Sequence, residues 1–199
     1  EVVAGLFVDC CRGRADICPP QFSDLLRSIS PITDKTFNVI FVCTGNSARS
    51  VIAETIVRER GGDKFTAYSA GTAHRSELNP FAVEMLKSKG HDVSLLRSKN
   101  IEEFQGADAP RMDFVFTGCD RAANEECPTW TGQPVSGHWG MPDPVKADGT
   151  DAEKLLAFNQ TYGALHNRIM AFSALSFENL DPGSLQKRVD EIGKETAKQ

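Results

Sequence analysis

Asn38 to Ser50 read NVIFVCTGNSARS, an apolar run that crosses a few small polar residues into the helix-like segment SARSVIAETIVRERGG. A short β-branched-rich run with no polar alternation has to be buried on both faces, as an inner strand of a parallel sheet is. The pattern then repeats. FTAYSAG is a second strand, and PFAVEMLKSKG is a helix that opens on Pro and closes on Gly. IEEFQG is a short helix, MDFVFTGC a third strand and QPVSGHW a fourth. GTDAEKLLAFNQTYGALHNRIMAFSAL is the longest helix, with Thr150 and Glu153 at capping-box spacing. Leu155, Leu156, Phe158, Tyr162, Leu165, Ile169 and Phe172 form its apolar stripe, and PGSLQKRVDEIGKE is the last helix. Strands alternating with helices predict an α/β fold: a small open sheet of four parallel strands flanked by helices. Ligands of such sheets bind at the carboxyl ends of the strands, where Cys43 and Cys119 fall.

The chain has 199 residues, enough for one well-buried domain and an appendage. Residues 1–36 differ from the rest. They hold half the cysteines, an amphipathic QFSDLLRSIS and a Pro-containing connection, so they read as a helical tail and linker before a domain at 37–199. A chain opening on Glu1 reads as a fragment or processed product, and its first residues lack a basic leader. No apolar stretch is long enough to cross a bilayer, so no membrane is expected as partner. A net charge of −5 argues against nucleic acid as the main partner of this portion. Six cysteines in a chain too large to need staples point to thiol chemistry or soft-metal binding in a reducing cytoplasm.

Between strand and helix lie Cys43, Thr44, Gly45, Asn46, Ser47, Ala48 and Arg49. Gly45 and Asn46 tolerate positive φ, so consecutive amides can turn inward as a nest, and the following helix adds its N-terminal dipole. A tetrahedral oxyanion fits there, with the fork of Arg49 clamping two oxygens. The same field is expected to lower the pKa of Cys43 and favour its thiolate, to which Ser50 can donate. The bland alternative is a strand that ends in Cys before a helix that begins with Arg.

VCTGNSARS, SAG at Ser69–Gly71 and PDP at Pro142–Pro144 resemble the low-molecular-weight protein-tyrosine-phosphatase fold. CDRAANEECPTWTGQPVSGHWGMPDP is similar to the corresponding region of its arsenate reductase branch, and the likeness runs from about Phe37 to Gly193. The resemblance implies the four-stranded parallel sheet already read from periodicity. It also implies Cys43 as nucleophile and Asp143 as general acid. A phosphatase has no use for Cys119 or Cys127, whereas a reductase needs two further thiols. In the implied scheme Cys119 attacks the Cys43 adduct, Cys127 resolves the resulting disulfide, and thioredoxin or glutaredoxin with glutathione regenerates the enzyme. The segment joining Cys119 and Cys127 is one residue longer than in thioredoxin-coupled members. No tightly bound cofactor is implied, but some reductases hold potassium, and Asn46, Glu54 and Ser69 match oxygen ligands of that site. A phosphotyrosine phosphatase is the alternative, against which DPVKADG after the acid carries no tyrosine. His74 and His91 read as surface residues, His138 as either touching the Asp143 loop or, preferably, packed beside Trp139, and His166 as structural.

Cys10, Cys11 and Cys18 lie within DCCRGRADIC. Three close thiolates make a trigonal sulfur site suited to As(III). The stretch resembles the arsenite-sensing segment of arsenic-responsive winged-helix repressors. That raises a third alternative, an arsenite-binding regulatory module fused to a DNA-binding domain absent here, the one case in which nucleic acid is a partner. The plain reading is a leader with inert cysteines.

Overall fold

The protein was described from a computed structural model covering residues 35–74, 77–119 and 130–195. Cys10, Cys11, Cys18 and Cys127 lie outside the described residues, and with them the expected As(III) site and the last step of the relay.

Four strands form one sheet: β1 (Phe37–Cys43), β2 (Phe65–Gly71), β3 (Phe114–Thr117) and β4 (Val135–His138). Their order is β2-β1-β3-β4 and every pair is parallel. β1 lies inside because it is the run that can tolerate it: Val39 through Cys43 are all buried. The crossovers carry α1 (Arg49–Arg60) and α2 (Pro80–Ser88), and α3 (Asp151–Ser173) and α4 (Pro182–Glu195) follow the last strand. β3 ends at Thr117, so Cys119 stands two residues past the strand rather than closing it.

The pleat sorts β1 into two cores. Val39 and Phe41 join a cluster to which all four helices contribute, among them Ile52, Met85, Phe158, Phe172 and Val189. Ile40, Val42 and Cys43 join a smaller cluster with Ala70, Ile101, Met112, Val115 and Cys119. The larger core is aromatic at its centre. Phe114 meets Phe172 edge-on at 4.9 Å, and Phe116 stacks on Trp139 at 4.0 Å. These contacts add to the area buried.

Local chemistry sets the helix starts. Asn79 caps α2 by accepting from the amide of Phe81 at 3.0 Å, with Pro80 at the first helical position. Thr150 and Glu153 form the expected capping box: the Thr150 amide donates to Glu153 Oε2 at 2.7 Å and the Glu153 amide to Thr150 Oγ1 at 3.3 Å.

The wall of helix beside the site depends on two small residues. A Cβ on Gly137 of β4 would stand 2.6 Å from Val189 of α4, and one on Gly193 would stand 2.7 Å from the His138 carbonyl. Both glycines let α4 lie directly on β4, which brings Gly193 and Lys194 to the carboxyl end of the sheet. Gly137→Ala is therefore expected to lower stability by about 1–3 kcal/mol through overpacking. Urea denaturation checks this, and an unchanged midpoint would mean that α4 can move off at no cost.

Candidate active site

The polypeptide from Cys43 to Arg49 is held from outside by its carbonyls. Thr72 N donates to Cys43 O at 3.1 Å, Ala73 N to Thr44 O at 2.9 Å and Asn79 N to Ser47 O at 2.9 Å. In a trans peptide the next N–H points opposite to the carbonyl, so the amides of Thr44, Gly45 and Ala48 turn inward. No side chain caps α1 at Ala48, which leaves its first amides to the same interior. The loop's backbone is compatible with the nest expected from sequence. Its left-handed residue is Asn46, with φ 43°, rather than Gly45. Gly71 makes room for it, because a Cβ there would lie 2.8 Å from Thr44 O and 3.0 Å from Asn46 N.

Asn46 is fully buried and every polar atom of its side chain is used. Its amide donates to Cys43 Sγ at 3.1 Å, and Nδ2 donates to Ser50 Oγ and Ser69 Oγ, both at 2.9 Å. Oδ1 accepts from Lys99 N at 2.7 Å. Ser50 Oγ sits 2.8 Å from Cys43 Sγ. Either group can donate while the sulfur is a thiol, but to a thiolate only the Ser50 hydroxyl can, its oxygen meanwhile accepting from Asn46.

Burial nevertheless pushes the Cys43 thiol above its ordinary pKa. The hydrogen bonds from Ser50, the Asn46 and Ser50 amides and the charge of Arg49 all pull it down, and removal from water outweighs them. The expectation of a lowered thiol pKa is corrected accordingly. The favourable dipoles are outweighed because Cys43 is only 4% exposed and its sulfur is desolvated.

Arg49 faces the other wall. Its Nη1 donates to Gly118 O at 3.3 Å and Met141 O at 3.2 Å, and Nη2 pairs with Asp143 Oδ2 at 3.0 Å. Asp143 also caps the short 3-10 turn Pro144–Lys146 by accepting from Val145 N at 3.2 Å. Cys43, Arg49, Asp143 and Cys119 therefore line one cleft, with Lys146, Asp190 and Lys194 also along it. Cys119 is buried, and Thr44 Oγ1 lies 3.4 Å from its sulfur. His138 lines the cleft too, bonded through Nδ1 to Thr117 Oγ1 at 2.8 Å. Of its two expected places the structure favours the one beside the Asp143 loop, because the Trp139 ring lies in the aromatic core. His91, read as a surface residue, is buried between Glu59 Oε2 at 2.6 Å and Tyr162 OH at 2.8 Å.

Asn46, Glu54 and Ser69 converge as expected, but they do not fit potassium. Lys99 Nζ donates to Glu54 Oε1 at 3.0 Å and Oε2 at 2.7 Å, and Ser69 Oγ donates to the same carboxylate at 2.5 Å. An ammonium group already supplies the positive charge, and Asn46 turns donors rather than an oxygen toward the serines. The potassium expectation is corrected on this ground. Lys99 was missed because a lysine between Ser98 and Asn100 carries no sign of burial in the sequence. Among the described residues no group of three or more His, Cys, Asp or Glu side chains could hold a metal ion. No described helix is long and apolar enough to cross a membrane.

Because Ser50 donates to the sulfur, its loss must disfavour the thiolate. Ser50→Ala is expected to move the pH midpoint of Cys43 alkylation upward by about one unit, the worth of one hydrogen bond to a charged group. Peptide-resolved mass spectrometry across a pH series reads it. A midpoint that stays put or falls would show that Ser50 is not the donor.

Comparison with known proteins agrees with this geometry. Residues 38–184 match the family described as low molecular weight phosphotyrosine protein phosphatase. An arsenate reductase of Halalkalibacterium halodurans is 37% identical over 135 residues, which is 68% of this chain and 94% of that protein. The arsenate reductase of Bacillus subtilis shows the same identity and coverage, 37% over 135 residues, 68% and 94%. Among solved structures, an arsenate reductase in the phosphate binding state superposes with a TM-score of 0.58 at 30% identity, over 70% of this chain and 98% of that one. An arsenate reductase in the oxidized state gives 0.56 at 30% identity, over 69% and 96%. The chain belongs to the low molecular weight phosphotyrosine protein phosphatase family.

Proposed function

We propose that the protein is a thiol-dependent arsenate reductase in which Cys43, Cys119 and Cys127 pass two electrons to arsenic. One observation carries this reading over simple hydrolysis. Cys119 opens onto the same cleft as Cys43, with the Thr44 hydroxyl 3.4 Å from its sulfur, where hydrolysis has no use for a second thiol. The relatives named arsenate reductase support it, as does the absence of tyrosine from DPVKADG.

Arsenate enters the nest of Thr44, Gly45 and Ala48 amides, with Arg49 taking two of its oxygens. The Cys43 thiolate attacks arsenic, an As–O bond breaks, and Asp143 gives its proton to the departing oxygen, which leaves as water. Cys119, as thiolate, then attacks the Cys43 sulfur. The S–As bond breaks, its electron pair stays on arsenic, and As(III) leaves as arsenite with a Cys43–Cys119 disulfide behind it. Cys127 attacks Cys119 and frees Cys43, and an external dithiol such as thioredoxin, or glutathione with glutaredoxin, reduces the Cys119–Cys127 disulfide. Resting thiols at all three positions require a reducing compartment, in keeping with a cytoplasmic location.

Cys43→Ser is expected to abolish both arsenate reduction and aryl-phosphate hydrolysis, because a hydroxyl stays protonated where a thiol ionises. Cys119→Ser and Cys127→Ser should stop multiple turnover of arsenate yet spare aryl-phosphate hydrolysis. Cys127→Ser should stall after one turnover as a Cys43–Cys119 disulfide, and mass spectrometry of acid-trapped, alkylated protein reads that state. Undiminished arsenate turnover in both later variants would sink the relay and leave Cys43 drawing directly on an external thiol.

A further inference from the structure

Arg168, in the C-terminal part of α3, is buried at 4% exposure. Its Nη1 donates to Trp139 O at 2.9 Å and Gly140 O at 3.3 Å, and its Nη2 donates to Gly193 O at 3.1 Å. These carbonyls belong to two separate segments beside the cleft. Trp139 and Gly140 begin the loop that ends in Asp143, and Gly193 lies on the stretch of α4 that lines the cleft. The next carbonyl along the loop, Met141 O, accepts from Arg49 at 3.2 Å, and Arg49 also holds the Asp143 carboxylate. One guanidinium therefore grips the loop from the protein interior at 139 and 140, and the other grips it from the cleft at 141 and 143.

We propose that Arg168 is a positioning residue for Asp143, tying the base of the acid loop and the cleft end of α4 to one buried guanidinium. The proposal rests on Asp143 being the general acid. The planar fork suits the task because it addresses carbonyls on two separate segments at once, which a lysine ammonium on a flexible stem does less well. Burial lowers the pKa of Arg168, and removing the donors would take its partner from the buried Trp139 carbonyl and from the part-buried Gly140 and Gly193 carbonyls. The loop would shift to find new partners, carrying Asp143 with it. A displacement of about 1 Å at a reacting group can cost about 100-fold in rate.

The test compares hydrolysis of phenyl phosphate and p-nitrophenyl phosphate, because phenolate needs protonation to leave and p-nitrophenolate needs little. That assay uses Cys43, Arg49 and Asp143 without the cysteine relay, so it is independent of arsenate turnover. Asp143→Asn should slow phenyl phosphate far more than p-nitrophenyl phosphate. Arg168→Met should do the same, with kcat on phenyl phosphate down by about 10- to 100-fold and KM within twofold of wild type. Arg168→Lys should recover part of the loss. Arg168→Met combined with Asp143→Asn should be no slower than Asp143→Asn alone, since the second change removes the group the first one aims. All rates are read well below each variant's melting temperature, and should Arg168→Met not fold, Arg168→Lys carries the comparison. Equal slowing of both substrates, or additive losses in the double variant, would make Arg168 merely structural and overturn the proposal. An Asp143→Asn variant at the wild-type rate on both substrates would overturn the general-acid reading and this proposal together. An Asp143→Asn variant slowed on phenyl phosphate beside an unaffected Arg168→Met would overturn this proposal alone.

Discussion

The side chain of Asn46 is the contact on which the site depends. Its left-handed backbone turns the loop at the one place where the chain must reverse, and an asparagine tolerates that conformation better than most residues with a Cβ. Its amide reaches Cys43 Sγ while its carboxamide spans Ser50, Ser69 and the Lys99 backbone. A strand end, a helix start, a second strand and a distant loop are thereby tied to one buried group. Gly71 completes the arrangement from β2 by leaving the space that a Cβ would fill.

Behind that residue runs a buried polar line from Lys99 through Glu54, Ser69 and Asn46 to Ser50 and the sulfur. Such a line is tolerable in an apolar surrounding because each member has a partner, and removing any one would strand its neighbour. The Lys99–Glu54 pair does more for geometry than for net stability, since desolvation consumes much of its attraction. It settles which way Ser69 donates, and so which way the Asn46 carboxamide must face. The sulfur stands at the far end of this chain of orientations, in a place dry enough to raise its pKa despite every dipole directed at it.

The opposite wall is assembled differently. The acid loop and α4 come from the last third of the chain, and their approach to the nest depends on two arginines and two glycines. Arg49 and Arg168 hold consecutive carbonyls of the loop, while Gly137 and Gly193 let α4 close onto β4. Cys43 and Cys119 thus face a cleft with one wall bound to the sheet and another held in part by guanidinium groups.

Periodicity alone carried most of the fold. The unbroken apolar run at β1, the Pro and Gly punctuation of α2 and the Thr150–Glu153 box of α3 are local signals, and local chemistry decides them. The loop proposed to hold the oxyanion was readable for the same reason, because Cys43 through Arg49 are contiguous and the proposed role follows from backbone geometry. Asp143 needed likeness to a family, since a lone DP turn has no mark of its own. What sequence could not yield lies in long-range contact. Lys99 standing where a potassium ion was expected, the buried His91, the second guanidinium at the base of the acid loop and the upward shift of the Cys43 thiol all depend on which distant segments meet and how much water they exclude. Spacing along the chain determines which groups can turn toward one another locally. Only packing determines how dry the place is where they meet, and for the Cys43 thiol that dryness sets how hard it is to ionise.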